Sequence, residues 1–147
     1  MKKRGFTLIE ILVASTIIAV LSVVGVASYT SINKRSRDAK RKSDLEQMRS
    51  ALEMYRIDNG FYPGISEGFI QIDSSIAGLF VPDYTPAIPE DPKSTSQIPI
   101  YYFYSPLGTA PPFYSYCICA SMESELGEGT CTGVTLPAAC TYGLKNP

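Results

Sequence analysis

The sequence predicts an α+β protein: one long N-terminal α-helix packed on a small antiparallel β-sheet. Three observations carry this. Ile11 to Asn33 is a run of 23 residues without a charge. No proline falls between Phe6 and Asp58, and Leu45, Met48, Leu52 and Tyr55 recur at spacings of 3, 4 and 3. Beyond Pro99 the chain changes to aromatic, alternating segments broken by Pro and Gly.

Composition narrows the possible functions. The 147 residues carry 13 Lys+Arg, 14 Asp+Glu and no histidine, for a net charge of −1. Without histidine there is no Ser-His-Asp or Cys-His catalysis and no imidazole-ligated metal. A chain that is 45% hydrophobic and 18% charged is too apolar to stay disordered. Its near-neutral balance argues against a protein built to coat nucleic acid.

Residues 1–5 form a short basic leader, Met1-Lys2-Lys3-Arg4-Gly5. Residues 6–33 are long enough to cross ~30 Å of hydrocarbon as a helix. A buried core helix is the alternative, but such helices rarely stay apolar on every face for six turns. Ser22, Gly25, Ala27 and Ser28 could form a secretory cleavage site. Glu10 argues against that reading: a carboxylate at the edge of the apolar stretch costs roughly a few kcal/mol unless paired, and marks a functional position.

Lys3 to Val13 (KRGFTLIEILV) resembles the class III signal of type IV pilins and type II secretion pseudopilins. The resemblance implies the pilin fold, and cleavage between Gly5 and Phe6 by a membrane-embedded prepilin peptidase that then N-methylates Phe6. It implies a cytoplasmic-membrane subunit, head outside, that an assembly platform and ATPase polymerise with sister pilins into a periplasmic or extracellular filament. With three of 13 basic residues removed against 14 acidic ones, the mature side chains sum to −4. Parallel helices with an axial stagger would set Glu10 of one copy against the Phe6 amine of the next. Both groups are costly when bare in an apolar medium, so the pair would fix the register.

Charge counting alone disagrees about topology. Lys2, Lys3 and Arg4 precede the apolar run, whereas six cations from Lys34 to Lys42 follow it, which by count places the head inside the cell. The resemblance places it outside and takes precedence. The Lys34–Lys42 run is then a solvated helix face, a filament lining or a contact to anionic headgroups. The run could suit DNA phosphates, but one exposed run is weak evidence and leaves DNA a possible, unsupported partner.

Residues 34–59 read as the amphipathic half of the same helix. Asp38/Lys42 and Arg49/Glu53 are i,i+4 pairs, and Asn59-Gly60 is the stop. Ser43 to Pro63 again resembles major pseudopilins, as does the proline-flanked acidic turn Ile88 to Pro92. Many members of that family have a proline within the membrane helix. Here Val24-Gly25-Val26 occupies the region, and Gly25 loosens a helix by about 1 kcal/mol without forcing a break.

Residues 60–99 read as an αβ loop with one helical turn near Ile76 to Phe80. Residues 100–147 form the sheet and a disulfide-bonded C-terminal region. Pro99 to Ser105 is a strand, Pro106 to Thr109 a turn and Phe113 to Met122 the return strand. Weaker strands are expected near Thr132 to Leu136 and Thr141 to Leu144. Tyr114, Tyr116, Ile118, Ala120 and Met122 share the face expected to lie on the helix, and this stripe suits core better than a carbohydrate surface.

Cys117, Cys119, Cys131 and Cys140 make an even set, which in an exported domain reads as a disulfide framework. Three connectivities are open. Cys117 and Cys119 project from one face of one strand, so each is expected to take a different partner in the C-terminal segment, and of the three connectivities the reading leans towards Cys119–Cys140 with Cys117–Cys131. A four-cysteine zinc site is the rival, but it lacks paired C-x₂-C knuckles. Some major pseudopilins bind calcium in an acidic C-terminal loop. Glu123, Glu125 and Glu128 lack the close-set Asp ligands and Gly turn of an oxygen cage, so no metal or cofactor is expected. An anchored head that binds a partner without polymerising is the competing function. An enzyme has no phosphate loop or catalytic pair to support it.

Overall fold

The computed structural model describes residues 5–64, 68–98, 100, 102–108, 110–124, 131 and 136–146. Helix α1 runs unbroken for 52 residues, Leu8–Asn59, about 78 Å. It starts two residues later than expected because Thr7 is its cap. The Thr7 Oγ1 accepts the Glu10 N–H (3.4 Å), and the Glu10 carboxylate accepts the Thr7 N–H (2.7 Å), which closes a capping box. Gly60 ends the helix at φ +82°, where a side chain would be strained, and its N–H bonds to the Arg56 carbonyl at 2.7 Å.

Four strands form an antiparallel meander in the order β1 (Ile70–Ile72), β2 (Tyr102–Leu107), β3 (Ser115–Ala120), β4 (Tyr142–Lys145). Tyr104 stands opposite Ile70 on one side and Ile118 on the other, and Cys119 stands opposite Gly143. The turn α2 (Ser74–Ala77) lies slightly before its expected place, and the turn continues to Tyr84, whose N–H bonds the Phe80 carbonyl at 2.8 Å. The Val81–Pro82 and Pro111–Pro112 peptide bonds are cis.

The core lies between the second half of α1 and one face of the sheet. Leu45, Met48 and Leu52 from the helix are buried against Tyr102, Tyr116 and Ile118, with Tyr55 partly buried at the edge. Ile72, Ile76 and Phe80 close the distal side. Glu53 lies beside this core and accepts the hydroxyls of Tyr62 (2.9 Å) and Tyr116 (3.2 Å), so the tyrosines bury their rings without stranding an O–H.

Several expectations need correction. The αβ loop contains strand β1, whose three residues are too few to show a period and exist by pairing with β2. Pro106 and Leu107 extend β2 instead of turning. They lie past the end of β1, where β2 is an edge and tolerates proline. Tyr114 precedes β3 and is 58% exposed, so it leaves the core stripe that Tyr116, Ile118, Ala120 and Met122 do form. Arg49 reaches Glu46 at 3.4 Å instead of Glu53, which the tyrosines occupy. Of the weak strand expected at Thr132 to Leu136, residues 132–135 lie outside the described residues, and Leu136 is not in a strand.

Candidate functional site

The first candidate surface is the lower half of α1. Among the described side chains, none from Gly5 to Ile32 is even partly buried. Phe6 is 85% exposed, and Ile17, Leu21, Val24 and Ile32 are likewise bare. α1 is the one helix among the described residues long and apolar enough to cross a membrane. A core helix would be covered by its own chain, so that alternative fails. Several polar groups of this half are satisfied locally. Ser15, Thr16, Ser22 and Ser28 hydroxyls donate to carbonyls three or four residues back. Glu10 Oε2 accepts both the Thr7 N–H and its hydroxyl at 2.7 Å. Its carboxylate sits where the helix dipole favours an anion. Phe6 lies just before this cap.

The second is an ionic knot at the base of the head, where sequence reasoning saw only an exposed basic run. Arg41 is 2% exposed. Its guanidinium grips Asp91 with Nε to Oδ2 at 2.6 Å and Nη2 to Oδ1 at 3.0 Å. Its Nη1 donates to Asp38 at 2.8 Å and to Glu123 at 3.0 Å. Arg37 makes a second fork onto Glu123, both contacts at 2.7 Å, and Lys93 adds a third cation at 2.8 Å. Asp38 also accepts the backbone N–H groups of Glu123 (2.9 Å) and Ser124 (2.8 Å). Lys40 and the Tyr102 hydroxyl both engage Asp44. Two forked, charge-assisted contacts thus tie the αβ connection and the segment after β3 to one turn of helix.

These contacts set the proton affinities. Arg37 foremost, then Lys93 and Arg41, hold the Glu123 carboxyl far below the usual range against the opposing effect of burial. Burial pushes Asp38 upward, but Ser124, two backbone N–H groups and Arg41 outweigh it and leave it lowered. The Arg41 guanidinium is raised, chiefly by Asp91. A detectable signal existed: continuing the stripe Leu45, Met48, Leu52 backwards by 4 and 3 lands on Arg41 and Asp38, charges at core-facing positions.

The third is the cysteine set. Cys117 is bonded to Cys131 and Cys119 to Cys140. Both bridges lie on the sheet face away from α1 and tie the C-terminal segment down over β3 and β4. Gly143 lets them pack: a Cβ there would meet Cys131 Sγ at 2.9 Å and Cys117 Sγ at 3.4 Å. With all four sulfurs bonded, no thiolate remains for zinc. Glu123 is committed to three cations, and Glu125 and Glu128 lie outside the described residues. Among the described residues no three His, Cys, Asp or Glu side chains converge to hold a metal.

Residues 1–26 match the prokaryotic N-terminal methylation motif, and residues 28–110 match the family described as type II secretion system (T2SS), protein G. The chain belongs to the protein G family of type II secretion. The chain is similar to the "Type II secretion system core protein G" of Pseudomonas aeruginosa, 30% identical over 125 residues, 81% of this chain and 84% of that one. It is 39% identical to that of Escherichia coli over 67 residues, and 32% identical to that of Pectobacterium carotovorum over 100. The chain spans 46% of the Escherichia coli protein's length and 64% of the Pectobacterium protein's. No solved structure matches significantly. The protein G match ends at residue 110, so β3, β4 and both disulfides of this member lie beyond it.

Proposed function

We propose that this protein is a structural subunit of a pilus-like secretion filament. It is made as a precursor, cut between Gly5 and Phe6 by a prepilin peptidase, and N-methylated on Phe6. The Phe6–Asn33 half of α1 holds it in the cytoplasmic membrane with its head on the outer side. An assembly platform and ATPase then move it into a filament of sister copies. It does its work by assembly and contact, without chemistry on a substrate.

One observation carries this reading: an apolar half-helix with no cover from its own chain, bearing one carboxylate a turn from Phe6. In lipid, Glu10 is held by Thr7. In a bundle of parallel helices, the methylated amine of a neighbour's Phe6 replaces that local partner and neutralises both charges. Glu10 is thus the register residue. Non-polymerising membrane anchors have no use for a carboxylate at that depth, whose cost in lipid needs a compensating role. The test is filament yield of Glu10→Val and Glu10→Gln in the assembling host. Membrane insertion should persist while assembled filament drops at least tenfold. Normal yield from both variants overturns the register role.

A further inference from the structure

We infer that a second copy of this chain docks on the back of the upper half of α1, displaced along the helix axis by about 36 Å. The inference rests on the polymerising reading proposed above. Two exposed faces of α1 carry it. Tyr29, Ile32 and Arg35 follow at steps of three and lie on one side of the helix. All three are exposed, and Arg35 has no ion-pair partner among the described residues. Higher on the helix, Met54, Ile57 and Asp58 lie on the side turned away from the stripe of Leu45, Met48, Leu52 and Tyr55. These three are exposed as well, Ile57 by 80%. Asp58 accepts the Tyr84 hydroxyl, a neutral donor that leaves its charge uncancelled.

Offset and charge select a sister copy as the occupant. Tyr29 to Met54 and Ile32 to Ile57 are each 25 positions, and Arg35 to Asp58 is 23. One displacement of parallel helices therefore levels two apolar pairs and an ion pair to within about 3 Å of rise, which the long Arg35 side chain spans. Burying the apolar pairs removes surface that each copy leaves bare. The charges fix the offset, because a slip of one turn sets Arg35 against Met54 and Ile32 against Glu53. Lipid cannot cover the upper face. Met54 and Ile57 stand about 72 and 77 Å along α1 from Phe6, well beyond a bilayer of about 40–45 Å. A foreign partner has no cause to match an offset written between two parts of this chain. Glu10 and the Phe6 amine set a short offset between neighbouring helices, and this contact sets a long one between copies farther apart.

The test uses the full chain in the assembling host. Ile32→Cys and Ile57→Cys in one chain lie about 37 Å apart on one helix and cannot bridge to each other, so a link between them joins two copies. Filaments of this double variant should give a ladder of covalent multimers on oxidation. Ile17→Cys with Ile57→Cys, an offset of 40 positions, should give none. Arg35→Glu sets like charges together and should lower filament yield at least about fivefold, and Asp58→Arg added to it should restore the yield. Lys34→Glu, an equal charge change on another side of the helix, should leave it. Unchanged thermal unfolding of the variants excludes a folding defect. Filaments of normal yield without a ladder, an equal ladder from the Ile17 pair, no rescue by Asp58→Arg, or an equal drop in Lys34→Glu overturns the contact. A link from either cysteine to a different protein replaces the sister copy with a foreign partner and also overturns it. Failure of the unmodified chain to form filaments fails the polymerising reading itself, and the contact with it.

Discussion

The two halves of α1 obey the same backbone geometry and differ in who completes them. From Phe6 to Ile32 four hydroxyls bond to the helix's own carbonyls and the apolar surface is left bare. From Arg37 to Tyr55 the apolar stripe and the charges beside it are taken up by the sheet, the αβ connection and the segment after β3. Among the described residues no buried side-chain N or O lacks a partner. The upper half is a finished product of folding. The lower half is left bare by its own chain, and in the proposed function lipid or sister helices complete it.

If this division is right, substitutions in the two halves should separate cleanly. Arg41→Met should do the most damage to the head. It strands Asp91, Asp38 and Glu123 around one removed guanidinium, and breaking a buried ion cluster from one side costs about 3–5 kcal/mol. Urea unfolding followed by tyrosine fluorescence checks it. A loss under about 1 kcal/mol would show the knot to be surface decoration. Next comes a matched pair. Leu52→Ala should cost about 2–5 kcal/mol of head stability, while Ile18→Ala should change it by less than about 0.5 kcal/mol. Similar losses from the two would erase the distinction between the halves.

Smaller effects sharpen the picture. Gly143→Ala should cost about 1–3 kcal/mol by overpacking, because its Cβ has no room beside Cys131 Sγ. Thermal unfolding of the oxidised protein measures it. Acid should also unfold the head in a predictable sense. Glu123 and Asp38 bind protons less readily in the fold than when unfolded. Below about pH 4.5 the unfolded chain therefore takes up protons first, and the stability these groups supply at neutral pH is lost as pH falls further. Glu123→Gln should flatten stability between pH 5 and pH 3 by about 1 kcal/mol, discounted for its partial exposure.

Periodicity made some of this legible. The stripe Leu45, Met48, Leu52 and Tyr55 located the helix face, Asn59-Gly60 its end, and the alternation of β3 separated Tyr116 and Ile118 from Cys117 and Cys119. That separation is also why the two cysteines needed different partners. What was missed lacks a local pattern. Arg41 read as part of a solvated run and Asp38 as an i,i+4 partner of Lys42, because Asp91 and Glu123 are distant in sequence. β1 has too few residues to show alternation. Thr7 could have been read, since Thr-x-x-Glu ahead of an apolar run is a capping signature.

Everything proposed for the lower half requires Phe6 to be a chain end lying beside Glu10. Intact mass and N-terminal peptide mass spectrometry of the protein purified from membranes test this directly. The account predicts a mature chain that begins with N-methylated Phe6. A product that retains Met1, or one that starts beyond Val13, contradicts it.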